Sequence, residues 1–386
     1  MTSLPSAVNS KYGNVEHDGE GLVEIFVPLK YCAIRRPTSV LILNNLEINS
    51  AGNDEDLEKT CGSVRELDLA ENKLVDWHEI FKILNHARWL TFLNLSYNRL
   101  DGVLNSRKLP DLPHLNKLVL INTGIKWDTL HSLLNGFRSS KLEELHLGLN
   151  SLARVEDHRG DKYPSVASLS FNGNPIQNGR DVLRLGHVFP SLRCLVVADC
   201  PICDLGDTKE LNGVFPCLEK LNLSNTNLSG WDELEKLKVL DSLIDLRLMG
   251  CKALEDMTEH ERRQQMIARM ENLIRLNGGI ITRTEREDAE RAFIRQHLDK
   301  PETELPDRFH DLVAKHGMLD PLAEIDLSPQ TEVTVTIHKG DDRTIRTVSV
   351  YKTVLEFKQS LEEWAGLPPN RMRLFYVDQA ALFVCH

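Results

Sequence analysis

A chain of 386 residues, 41% hydrophobic and 27% charged, can bury a sizeable core divided among two or three units. Its formal net charge of −11 and the lack of any Lys/Arg-rich block oppose nucleic acid as a partner, and no apolar run approaches the ~20 residues of a membrane span. The opening MTSLPSAVNSKYGNVEHDGE has no apolar stretch of signal-peptide length, so the cytosol is the expected compartment, and the eight cysteines (Cys32, Cys61, Cys194, Cys200, Cys203, Cys217, Cys251, Cys385) are expected to be reduced.

Residues 1–37 carry no repeat and are expected to form a partly disordered extension. From residue 38 one pattern returns, L-x-x-L-x-L-x-x-N-x-L. It is clearest in VRELDLAENKL (64–74) and LTFLNLSYNRL (90–100), and it recurs in copies starting at 142, 166, 192 and 218. Weaker copies start at 38, 115 and 243. The central position of each falls at Leu41, Leu67, Leu93, Leu118, Leu145, Leu169, Leu195, Leu221 and Leu246, at intervals of 24 to 27 residues. That period is the leucine-rich-repeat period. One copy cannot bury its own leucines, so nine must stack, which predicts an α/β solenoid over 38–276 with a parallel sheet on its concave side.

The polar pivot of each copy is Asn72, Asn98, Asn150 or Asn174, whose amides can bond backbone where the strand bends away; Thr123, Cys200, Thr226 and Cys251 fill the same place. Between strands, WHEIFKIL (77–84) and WDELEKLKVL (231–240) space their apolar residues as helices do, which predicts a helical convex side. Trp77, Trp127 and Trp231 read as packing anchors for these helices rather than as a ligand box.

Chemistry-bearing motifs are scarce. The CPIC at 200–203 has metal or redox spacing, but Cys200 is already a pivot and no second pair follows. Sequons at Asn94, Asn222 and Asn227 are by-products of the repeat. No phosphate-cradling loop, nucleophile elbow, zinc-protease motif or dinucleotide turn occurs, so neither an enzyme nor a cofactor is expected. Surface remains. The outward positions of the repeats form a ladder of Asp68, Glu71, Asn94, Tyr97, His146, Asn172, Asn222, Asn225 and Arg247, mixed polar residues with one aromatic, suited to a protein ligand on the concave face.

After the repeats, RRQQMIARMENLIRL (262–276) reads as a helix ended by Asn-Gly, and Thr284 with Glu287 reads as a capping box opening a second helix. Together, 277–330 form the cap and connecting segment that an open solenoid end requires for solubility. The tail, 331–386, reads as strand (331–338), KGDD turn, strand (344–351), helix (354–364), then a Pro-Pro loop and third strand (366–377). That order is similar to the start of ubiquitin. A further strand lying between the first and third is missing, so this small β-grasp domain is expected to be truncated and marginal.

The wording LNGGIITRTEREDAERAFIR (276–295) with LVAKHGMLDPLAEIDLSP (312–329), supported by WHEI and WDEL, resembles the tubulin-folding cofactor E family, and within it the shorter E-like branch. The resemblance covers roughly 38–377. Longer members open with a CAP-Gly domain that grips acidic tubulin tails, and with only about 37 residues before the repeats that domain is not expected here. The resemblance implies a cofactor that binds α-tubulin and destabilises the tubulin heterodimer, with a ubiquitin-like module that can route tubulin to the proteasome, acting in the cytoplasm and on the cytoskeleton. Assistance in heterodimer assembly is the second implication. A generic leucine-rich adaptor is the reading outside this family.

Overall fold

Each periodic leucine needs a neighbour to cover it, and stacking supplies one. The computed structural model describes residues 2–12, 39–104, 109–156, 160–321 and 331–376. The chain opens with β1 (Thr2–Ser3) and α1 (Leu4–Tyr12). Repeats then follow: β2 (Val40–Ile42), β3 (Ile48–Ser50) and α2 (Asp54–Cys61), β4 (Glu66–Asp68) and α3 (Trp77–Asn85), β5 (Phe92–Asn94), β6 (Lys117–Val119) and α4 (Trp127–Gly136). After these come β7 (Glu144–His146), β8 (Ser168–Ser170) and α5 (Gly179–Val188), β9 (Cys194–Val196) and α6 (Thr208–Val214), β10 (Lys220–Asn222) and α7 (Trp231–Glu235), and β11 (Asp245–Arg247).

The nine strands centred on the periodic leucines pair in parallel, each central leucine against the next, from Leu41 through Leu246. All nine are buried. Burying each contributes about 2 kcal/mol, and none of it is available to an isolated repeat. The sheet extends beyond the expected nine. β12 (Arg275–Leu276) pairs parallel to β11, setting Leu276 against Leu246, and β13 (Gly279–Ile280) closes it as an antiparallel hairpin.

Several sequence expectations shift. The helix expected over 262–276 is α8 (Glu259–Arg269), capped by Thr258 with Glu261 in a full capping box. Its last apolar residues, Leu273 and Leu276, join the leucine core instead, because a helical spacing also satisfies a turn followed by a strand once a neighbouring row exists. The next helix, α9 (Arg283–Gln296), is capped by Thr282 and not by Thr284. Both threonines have a glutamate three residues on, but Glu285 is held by Arg263, which places the helix start two residues earlier. The segment 231–240 breaks into α7 and a 3-10 turn (Lys236–Val239). Between the strands, β5–β6 and β7–β8 are joined without a helix among the described residues.

The cap seals the last repeat through charge and aromatic packing together. Arg269 stacks its guanidinium 4.3 Å from the Trp231 ring and 4.9 Å from Phe293, and pairs with Glu235. Arg286 on α9 donates to Ile267 O and Met270 O, carbonyls that the end of α8 leaves without helical partners. Ala268, Phe293, Ile294, Phe309 and Leu312 form a second small core joining α9 to α10 (Asp307–His316).

The opposite end is closed by residues that showed no sequence signal. β1 pairs with β3, Leu4 and Ala7 are buried, and Lys11 Nζ and Tyr12 Oη both donate to Ile42 O on the edge strand β2. Covering that carbonyl blunts an edge that could otherwise recruit another strand. The rest of the expected extension, 13–37, lies outside the described residues.

The chain divides into two compact units between Asp320 and Pro321. In the second, β14 (Glu332–Lys339) and β15 (Asp342–Ser349) form an antiparallel hairpin, followed by α11 (Val354–Ala365) with a Thr353–Glu356 capping box and a 3-10 turn (Pro369–Arg371). Over 366–376 no strand forms where the third was expected, since no strand among the described residues lies beside it to complete a ladder. Residues 322–330 and 377–386 lie outside the described residues. No helix among the described residues is long and apolar enough to cross a membrane.

Candidate partner-binding face

The pivots explain why the face is so regular. Asn72 Nδ2 donates to Leu43 O (2.8 Å) and Leu69 O (2.9 Å), while its Oδ1 accepts from Leu46 N and Ile48 N, both at 3.0 Å. Asn98, Asn150 and Asn174 repeat this, tying each turn to the one before it. Thr226 and Cys200 make a single bond at the same place, to Leu223 O and Phe171 O. Cys200 is therefore core, and burial pushes its thiol up to about 11, whereas Cys203 is exposed. Among the described residues no three His, Cys, Asp or Glu side chains cluster as a metal site.

The nine ladder residues fall into two rows and one residue between them instead of a single row, because each strand ends after three residues and strict alternation stops there. Asp68, Asn94, His146, Asn222 and Arg247 occupy one strand row, one residue after the central leucine, together with Ile42, Val119, Ser170 and Val196. Glu71, Tyr97 and Asn225 stand in the following turn, each with positive φ. Asn172 lies between the rows.

Most of these side chains serve their own turn. Asp68 Oδ1 accepts from Ala70 N (3.0 Å), Asn94 Oδ1 from Ser96 N and Oγ (3.1 and 2.7 Å), and Asn222 Oδ1 from Ser224 N (3.0 Å). Asn172 accepts from Ser170 Oγ, and Asn225 donates to Asp199 Oδ1. His146 Nε2 lies 2.7 Å from Glu144 Oε1. Only Glu71, Tyr97 and Arg247 keep side chains without a hydrogen-bonding or charged partner among the described residues.

A further row, one residue before each central leucine, was missed: Glu66, Phe92, Lys117, Glu144, Lys220, Asp245 and Arg275, with Val40, Ser168 and Cys194 filling its other places. Its signal was available, since these are the x positions that alternate with the buried leucine. Burial alone would raise the Glu144 carboxyl, but hydrogen bonds from Lys117 (2.8 Å) and His146 hold it below the usual carboxylate range. The face is electrically uneven. Glu66, Asp68 and Glu71 make its second repeat acidic, while Lys220, Arg247 and Arg275 make its last ones basic around Asp245. Such a face can bind and orient a protein surface.

A family model described as Leucine Rich repeat matches residues 86–103, the repeat that contains β5 and Asn98. The chain is 38% identical to the human tubulin-specific chaperone cofactor E-like protein over 352 residues, spanning 89% of this chain and 81% of that one. It is 31% identical to the tubulin-specific chaperone cofactor E-like protein of Caenorhabditis elegans, over 98% of this chain and 87% of that one. Human tubulin-specific chaperone E matches at 31% over 64% of this chain but 47% of its own length. With the stacked repeats and their cap matched through most of both lengths, the chain belongs to the tubulin-specific chaperone cofactor E-like family.

Proposed function

We propose that this protein binds α-tubulin on its concave face and, by holding the subunit, shifts the tubulin heterodimer toward dissociation. The observation that supports this reading is the likeness over most of the chain to relatives named tubulin-specific chaperone cofactor E-like protein. The mechanism is binding without bond-making. A protein that holds free α-tubulin more tightly than the heterodimer moves the assembly equilibrium by that difference in affinity, with no enzymatic step and no cofactor. The ladder Asp68, Glu71, Asn94, Tyr97, His146, Asn172, Asn222, Asn225 and Arg247 supplies the contact surface, and the hairpin-and-helix unit is the ubiquitin-like module that directs bound tubulin toward degradation. The protein works in the cytoplasm, at the cytoskeleton, with the proteasome and other tubulin cofactors as further partners.

A second reading, assistance in heterodimer assembly, is favoured by the word chaperone in the relatives' names. One experiment separates the two: immobilised full-length protein is titrated with αβ-tubulin, and the released β-subunit is quantified. Retention of α-tubulin with release of β supports dissociation. Retention of the intact heterodimer favours assembly, and no retention of either rejects both.

A further inference from the structure

The turn residues four places after each central leucine form a row of their own. Asn45, Glu71, Tyr97, Asn122, Leu149, Gly173, Asp199, Asn225 and Gly250 all have left-handed backbone. Hydrogen bonds continue the sheet through them: Glu71 N to Ser96 O, Tyr97 N to Ile121 O, Asn122 N to Gly148 O, Leu149 N to Asn172 O. Asn, Asp and Gly tolerate that conformation and fill six of the nine places. Glu71, Tyr97 and Leu149 do not suit it. Tyr97 and Leu149 nevertheless leave 48% and 45% of their surface in solvent, so burial compensates the strained backbone only in part. Leu149 lies across Gly173, where an added methyl would strike its side chain. Backbone strain retained at large apolar side chains that stay half exposed points to a role outside the fold.

We propose that Tyr97 and Leu149, with Glu71 beside them, are the anchor of the partner-binding face, and that they receive an apolar projection flanked by a lysine or arginine. This rests on the tubulin reading above, and the projection lies on the folded surface of α-tubulin. Strand spacing puts Glu71 about 5 Å from Tyr97 along the row and Leu149 about 10 Å beyond it. The projection is therefore about 10 Å long, with its cation at the Glu71 end. Among the described residues Glu71 makes no ion pair, and Glu66 and Asp68 on the same repeat add negative potential there, so the charge is complementary to a basic flank.

The test uses full-length protein carrying Tyr97→Asn, Leu149→Asn, both together, and Glu71→Lys. Asparagine suits the left-handed backbone, so melting temperatures should hold or rise. Tubulin affinity should fall at least ten-fold in the double variant and several-fold in Glu71→Lys. Wild-type binding with every variant within two-fold of it overturns the anchor and leaves the tubulin reading standing. A double variant that melts earlier shows that the two residues hold the fold, which also overturns the anchor. Absence of binding by the wild type overturns both readings.

Discussion

At Asn98 one amide holds two turns of the solenoid together. Its Nδ2 donates to Leu69 O (2.8 Å) and Leu95 O (3.0 Å), and its Oδ1 accepts from Leu74 N at 3.1 Å. Alanine there leaves buried backbone groups without their amide partner, and is expected to cost about 3 kcal/mol of unfolding free energy. Asn222 is also an asparagine of the repeats, but it is half-buried and its Oδ1 serves only the Ser224 amide. Alanine at Asn222 is expected to cost about 1 kcal/mol or less. Urea denaturation of the two variants checks the ranking, and equal losses would show that the pivots do not carry the stack. The pivots were legible as the invariant place in each copy. The ladder was legible less well, because a sequence marks Asn94 and Asn222 as outward without saying that their side chains fold back onto Ser96 and Ser224.

The cap helices depend on a buried carboxylate. Glu290 on α9 is almost fully buried and accepts from Lys315 Nζ and His316 Nε2 on α10, each at 2.6 Å, with Arg286 also acting on it electrostatically. Burial would raise its pKa, yet the bonds from Lys315 and His316 hold it below the ordinary 4.5. A carboxylate depressed in the fold stabilises fully above its unfolded pKa, and that stability is lost as pH falls through the folded value. The contribution of Glu290 is therefore flat between pH 7 and 5 and declines below about 4.5. Hydrogen exchange should show α10 losing amide protection in that acid range. Glu290→Gln should weaken protection at pH 7 and flatten the acid loss, and an unchanged acid profile in that variant would assign the effect elsewhere. Two helices in the cap were expected from spacing and caps. Where each begins depended on partners far away in the chain, such as Arg263 beside Glu285.

Across the whole molecule, stability is divided unequally. The first unit stacks ten leucine positions into one continuous core, while the second rests on Leu361, Ala365 and Met372 and leaves Phe375 and Tyr376 83% and 90% exposed. A hairpin and one helix seldom bury enough apolar surface to fold independently. Residues 331–386 expressed alone are expected to melt without a cooperative transition in calorimetry. A sharp two-state transition would show that the small core suffices.

The sequence by itself determined the solenoid, its period, its nine central leucines and its pivots, because those features repeat and each copy must satisfy the same local physics. It also determined that a cap follows, since polar helices replaced the leucine pattern. Only the tertiary structure decided that a tenth strand extends the sheet, that residues 2–12 close the far edge, and that Leu149 stands exposed beside Gly173. Each of these depends on what lies next to a residue in space, and a short segment such as LIRL is free to be helix or strand until a neighbouring row of backbone groups claims its hydrogen bonds.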